Sequence, residues 1–173
     1  MWDLFATVRH RHSVRKYQTD MPVEQEKQHA ILETACAAPS AGDLQAYHIY
    51  AITEPEQRAK IAATTQDQTF INDAPLCLVF CSDPQRSASE FSERGEKLYA
   101  LQDTTIAAAY AQLAAVAAGL GSTWIGQFDE QQLIEALNIT AGLTPVAILT
   151  IGYPAELPEL SSRRQMDEVV TFC

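Results

Sequence analysis

Eight of the thirteen residues between positions 106 and 118 are alanine, and this run constrains the fold more than any other stretch of the 173-residue chain. Alanine has the highest helix propensity, and its short side chain lets a neighbouring backbone approach closely. With Gln112 set among apolar neighbours, the run reads as a helix that has to be buried. It falls short of the ~20 apolar residues needed to cross a bilayer, so the burial is expected inside protein.

The rest of the chain supplies short elements to surround it. Residues 3–10 read as a short helix. Pro22, followed by Glu24 and Glu26, announces a helix running to about residue 37, with Ile31, Leu32 and Ala35 on one face. Alternation over 47–52 and the apolar run 76–80 read as strands, with a helical stretch over 54–63 between them. From 83 to 118 the pattern is helical in two pieces, because Ser92-Glu93-Arg94-Gly95-Glu96 interrupts the apolar periodicity. Gly119-Leu120-Gly121 ends the second piece, 122–126 reads as a strand, and Asp129 caps a helix to about 137. A last strand over 146–151 stops at Gly152-Tyr153-Pro154. Strands and helices in this order indicate α+β or α/β. No repeat or linker divides the chain, so a single domain over 1–173 is expected, with the tail from Leu157 to Cys173 packing across another subunit.

Charge narrows the function. Twelve Lys and Arg against 22 Asp and Glu leave −10, which repels nucleic acid and anionic membrane surfaces, so an anionic ligand needs a local basic site. Residues 9–16 provide one in outline: Arg9, Arg11, Arg15 and Lys16 are four of the twelve cations, with His10 and His12 among them. The planar guanidinium fork matches a phosphate bidentately, and Ser13 adds a hydroxyl. The alternative is a solvated basic turn paired with surface carboxylates. Arg163-Arg164 forms a second small basic patch.

Other chemistries lose ground. Trp124 stands where G-x-G-x-x-G needs its third glycine after Gly119 and Gly121, and there is no Walker lysine pattern, no H-E-x-x-H and no nucleophile elbow around Ser122. Cys36, Cys77, Cys81 and Cys173 lack zinc-site spacing, and Cys77 and Cys81, ~13 Å apart on one strand face, are expected as reduced core thiols. His29, in a polar helical stretch, and His48, in a strand, read as structural. With no secretory leader pattern at the N-terminus, a cytoplasmic protein is expected.

Several fragments in order resemble one family, the FMN-dependent nitroreductases. Arg11-His12-Ser13-Val14-Arg15 resembles its R-[RH]-S-x-[RK] clamp, and Ala38-Pro39-Ser40-Ala41-Gly42-Asp43-Leu44-Gln45 resembles its A-P-S-x-x-N-x-Q loop. Gln68 to Pro75, Ala118 to Gly126, Ile151 to Pro154, and Arg163 upstream of Asp167-Glu168-Val169 are similar to further family positions. The resemblance covers about residues 8–170.

It implies an α+β fold, a central mixed β-sheet flanked by helices, in an intertwined homodimer with FMN at the subunit interface. It also implies that Arg11, Ser13 and Arg163 hold the FMN phosphate with His12 beside it, and that Arg15 lies near flavin N1 and O2. Pro39, Ser40, Asp43 and Gln45 would face the ring from the other subunit, with Gln68 at its pyrimidine side and the backbone of Ile125 and Gly126 near N5 and O4. The implied activity is ping-pong oxidation of NADH or NADPH with transfer to a nitroaromatic, quinone or similar small planar acceptor. No catalytic side chain and no metal is nominated, because hydride chemistry belongs to the flavin. Alternatives are a flavin-storage protein with little turnover, a specialised member acting in dehalogenation or flavin fragmentation, and a phosphate-binding module without flavin. Asp43 departs from the family's Asn, exchanging an amide for an acceptor.

Overall fold

The computed structural model describes residues 3–159 and 161–173. Six helices, α1 (Leu4–His10), α2 (Gln25–Cys36), α3 (Pro55–Ala63), α4 (Pro84–Arg94), α5 (Ala100–Ala117) and α6 (Glu130–Leu137), surround four strands, β1 (Tyr47–Ile52), β2 (Leu76–Ser82), β3 (Gly121–Ile125) and β4 (Thr144–Gly152). The strand order is β1-β2-β4-β3. Every neighbouring pair of these strands is antiparallel, and the parallel element expected of a mixed sheet is confined to one bridge, Ser13 to Ser122, on the outer side of β3.

Every residue of β2 is buried, which is why its sequence is an unbroken apolar run: helices cover both faces of that strand. On one face Leu76, Leu78 and Phe80 join Leu149 and Ile151 beneath Ile31 and Ala35 of α2 and Ala107, Ala111 and Ala115 of α5. On the other, Cys77, Val79 and Cys81 pack with Ile61 of α3, Leu133 of α6, and Val14 and Tyr17. Each fully buried aliphatic side chain contributes about 1.5–3 kcal/mol. The alanine-rich helix is therefore buried as expected, but on one side only; Tyr110 and Leu101 on its other side remain 39% and 45% exposed.

The ends of the elements follow local chemistry. Asp129 caps α6, its carboxylate accepting from the Gln132 amide at 2.9 Å, and Asn138 ends the helix in the left-handed conformation at φ 50°. Gly119, at φ 79°, terminates α5 with its N–H donating to Val116 and that of Leu120 to Ala115. The helix expected from Pro22 begins later: Pro22 and Val23 are outside it, with Val23 inserted in the core and Glu24 at the cap. Between α4 and α5 the predicted break is a reversal at Ser92 (φ 49°) followed by a π-helical turn, Gly95–Tyr99. Gly95 is required there, since a Cβ would lie 2.3 Å from the Ser87 carbonyl oxygen.

Beyond β4 the chain turns back along residues 15–18. The Ala155 amide donates to the Lys16 carbonyl at 2.8 Å, and the Gln18 amide to the Tyr153 carbonyl at 2.9 Å. From 161 onward every residue is exposed, Phe172 by 85%, and the only regular element is a 3-10 turn at Met166–Glu168. Among the described residues no helix is long and apolar enough to cross a membrane.

Candidate functional site

The basic segment 11–17 lies along the free edge of β3. The Val14 amide donates to the Ser122 carbonyl at 3.0 Å, and the Thr123 hydroxyl returns a bond to the Val14 carbonyl. Tyr17 fastens the far end: its buried hydroxyl meets the Val14 carbonyl at 2.7 Å and the Thr150 hydroxyl at 2.8 Å. Burial keeps that phenol un-ionised by raising its pKa well above the ordinary value. Gly121 makes the approach possible, because a Cβ would meet Val14 at 2.7 Å.

This placement puts Arg11 toward the start of β3 and Arg15 toward its end, ~13 Å apart along extended chain. Arg11 is half-buried and lines a cleft of about 560 Å³ with Arg9, His12, Ser161 and Arg163. Burial and then the like charge of Arg163 hold the Arg11 guanidinium below its ordinary pKa. Among the described residues neither Arg11, Arg15 nor Arg163 forms an ion pair, whereas Arg164 is engaged by Glu168 and Lys16 by Glu156. The Glu156 carboxylate also accepts from the Arg15 amide at 2.8 Å, tying the tail's base to the clamp. A cleft lined by two neighbouring guanidiniums without a counter-ion is suited to an anion. Of the Arg163-Arg164 pair, it is Arg163 that lines it.

Ile125 ends β3, buried, and Gly126 follows it, exposed. Gln68 belongs to a neighbouring loop: Thr64 accepts from the Asp129 amide at 2.7 Å and Gln66 contacts Gln127 at 3.4 Å, which docks residues 64–68 beside the chain leaving β3.

Pro39, Ser40, Asp43 and Gln45 form a second group in the turn between α2 and β1. It winds through positive φ at Gly42 (57°), Asp43 (55°) and Gln45 (49°). The Ser40 hydroxyl accepts from the Gln45 amide at 2.9 Å, and the Gln45 side chain donates to the Cys36 carbonyl at 2.7 Å. Pro39 and Ser40 line a cleft of about 600 Å³ with Tyr99, Leu101 and Ile106. Gln45 instead lines another cleft, with Cys36, Tyr47 and His48, and neither of these is the cleft of Arg11 and Arg163. Tyr99, Leu101 and Asp103, which line the cleft of Pro39 and Ser40, carry no motif in the sequence that singles them out.

Comparison with known proteins decides the family. The model of the nitroreductase family matches residues 8–72 and 62–153. The chain belongs to the nitroreductase family. This nitroreductase-family chain is 30% identical over 169 residues to the FMN reductase [NAD(P)H] of Bacillus subtilis, covering 90% of this chain and 68% of that protein. Its fold superposes on nitroreductase A from Vibrio parahaemolyticus with a TM-score of 0.89 at 30% identity, over 99% of this chain and 76% of that one. It matches the NADPH:FMN oxidoreductase from Vibrio harveyi, solved in complex with NAD+, with a TM-score of 0.88 at 28% identity, over 98% and 76%. This member of the family therefore spans roughly three quarters of those relatives' length.

Proposed function

We propose that the protein is an NAD(P)H-dependent FMN oxidoreductase of the nitroreductase type. The observation that carries this reading is the unpaired Arg11–Arg163 cleft beside β3, at the family's clamp position in a chain of net charge −10. The donor set fits the cofactor. A phosphate of about two negative charges would relieve the Arg11–Arg163 repulsion and accept from Ser13, with His12 at its side. Arg15, further along the same edge, supplies a fixed cation where the ring gains charge. Ile125 and Gly126 border the ring through backbone, Gln68 meets its polar end, and Pro39, Ser40, Asp43 and Gln45 contribute the opposite wall.

Bound FMN would supply the redox chemistry between NADH or NADPH and a small planar acceptor. The chain's own task is to hold the phosphate, orient the ring and place charge, with no side chain acting as nucleophile. Because the clamp and the Pro39–Gln45 turn line separate clefts, they meet across a homodimer interface. Its surface is the outward face of α5 with α1, where Leu4, Thr7, Tyr110 and Leu113 line an apolar groove of about 630 Å³. The exposed tail after 160 packs on the partner. The 173 residues act as one domain, in the cytoplasm.

Initial rates against NAD(P)H and an acceptor such as a quinone test the reading: parallel lines in double-reciprocal plots are expected, and intersecting lines contradict the exchange of both substrates at one site.

A further inference from the structure

We propose that Asp103 is a positioning residue for the flavin, acting through the Ser40–Gln45 turn; the proposal rests on the reading of that turn as one wall of the FMN site. Asp103 sits in α5 at 2% exposure and is the only buried ionisable acid or base among the described residues other than Tyr17 and the two strand cysteines. Among the described residues no lysine or arginine pairs with it. A carboxylate taken out of water without a cation needs hydrogen bonds in place of its hydration. Asp103 has two, and both come from the turn: Oδ1 accepts from the Ala41 amide at 2.9 Å and Oδ2 from the Ala46 amide at 3.3 Å.

Those two amides bracket the stretch in which Gly42, Asp43 and Gln45 all have positive φ, a conformation that the two non-glycine residues hold only under restraint. Other anchors hold the turn as well, one of them at Ala46 itself. Arg86 Nε donates to the Leu44 carbonyl, the Asp83 amide donates to the Ala46 carbonyl at 2.9 Å, and the Phe91 ring fills the space under Gly42. Among the described residues Asp103 is the one side chain that bonds the amides of both feet. Pro39 and Ser40 directly precede the first foot, Gln45 directly precedes the second and Asp43 lies between them, so releasing Asp103 removes a restraint adjoining all four candidate ring contacts.

The test uses the full-length protein with Asp103→Asn and Asp103→Ala, reading FMN dissociation constant by fluorescence titration, visible circular dichroism of the bound flavin, and melting temperature. Asparagine keeps one acceptor, alanine none. The expected result is a folded Asp103→Asn protein with FMN affinity at least tenfold weaker and an altered flavin dichroism, and a larger loss in Asp103→Ala. An Asp103→Asn protein with FMN affinity within twofold of the unaltered chain and unchanged dichroism overturns the inference whatever its melting temperature, since the carboxylate would then be structural only. Should both variants fail to fold, hydrogen exchange in the unaltered protein decides: FMN is expected to slow exchange of the Ala41 and Ala46 amides at least tenfold, and equal rates with and without FMN overturn the inference. An unaltered protein that takes up no FMN overturns the flavin reading and this inference with it.

Discussion

At the scale of single residues, the clamp is governed by unpaired charge. Removing one charge-assisted hydrogen bond to a phosphate costs about 1.5–3 kcal/mol, so Arg11→Ala is expected to weaken FMN binding by roughly 10- to 150-fold in a fluorescence titration. An unchanged dissociation constant would remove Arg11 from the site. Arg164→Ala, which loses only the contact with Glu168, is expected to bind FMN as the unaltered chain does. The thiols divide in the same way. Cys36 and Cys173 are exposed, while burial pushes Cys77 and Cys81 up from 9.0 to about 12. In the native protein at pH 8 a disulfide reagent is expected to titrate Cys36 quickly, and Cys77 and Cys81 only after unfolding. Because the folded state raises these two pKa values, their contribution to stability is full below pH 9 and is lost as pH rises toward 12, which alkaline unfolding curves can follow. The candidate clamp stood out in the sequence because four cations fall within eight residues of an acidic chain. Asp103 did not, because its partners Ala41 and Ala46 are some 60 residues away and only the fold brings their amides to it.

At the scale of elements, the edge of β3 links stability to binding. A methyl group at Gly121 would press on buried Val14, so Gly121→Ala should cost about 1–3 kcal/mol in urea unfolding and also weaken FMN, since relief requires the 11–17 segment to move. Gly119→Ala offers the contrast. Nothing lies within 4 Å of a Cβ there, and only its φ of 79° is strained, at about 1–2 kcal/mol, with FMN affinity expected to hold. An equal FMN affinity in Gly121→Ala would show that the segment does not carry the phosphate site. The strands were readable because burial on one or both faces imprints a period on them, as in β2. Less readable was the start of α2, where Pro22 imitates a first-turn proline while Val23 is drawn into the core. The single parallel bridge at Ser13 left no pattern, since one bonded residue has no periodicity to detect.

At the scale of the whole molecule, the chain carries two groups of candidate site residues facing different clefts, an apolar helix face and an exposed tail, and the proposed homodimer would bring them together. Charges placed on the outward face by Tyr110→Glu with Leu113→Glu are expected to give a monomer by sedimentation and to abolish FMN binding, because clamp and turn then no longer meet. A monomer that still binds FMN tightly would contradict a shared site. The family order of motifs made the fold legible, whereas the proposed subunit contact has no sequence motif and is marked only by the apolar outward face of α5 and α1. The central claim, a reducible flavin held by this chain, is tested most directly by a visible absorption spectrum of the purified protein after FMN addition and desalting, followed by anaerobic NADPH and then NADH. A retained flavin band that bleaches with at least one nicotinamide is the predicted result; a colourless protein, or a bound flavin that neither donor reduces, would contradict it.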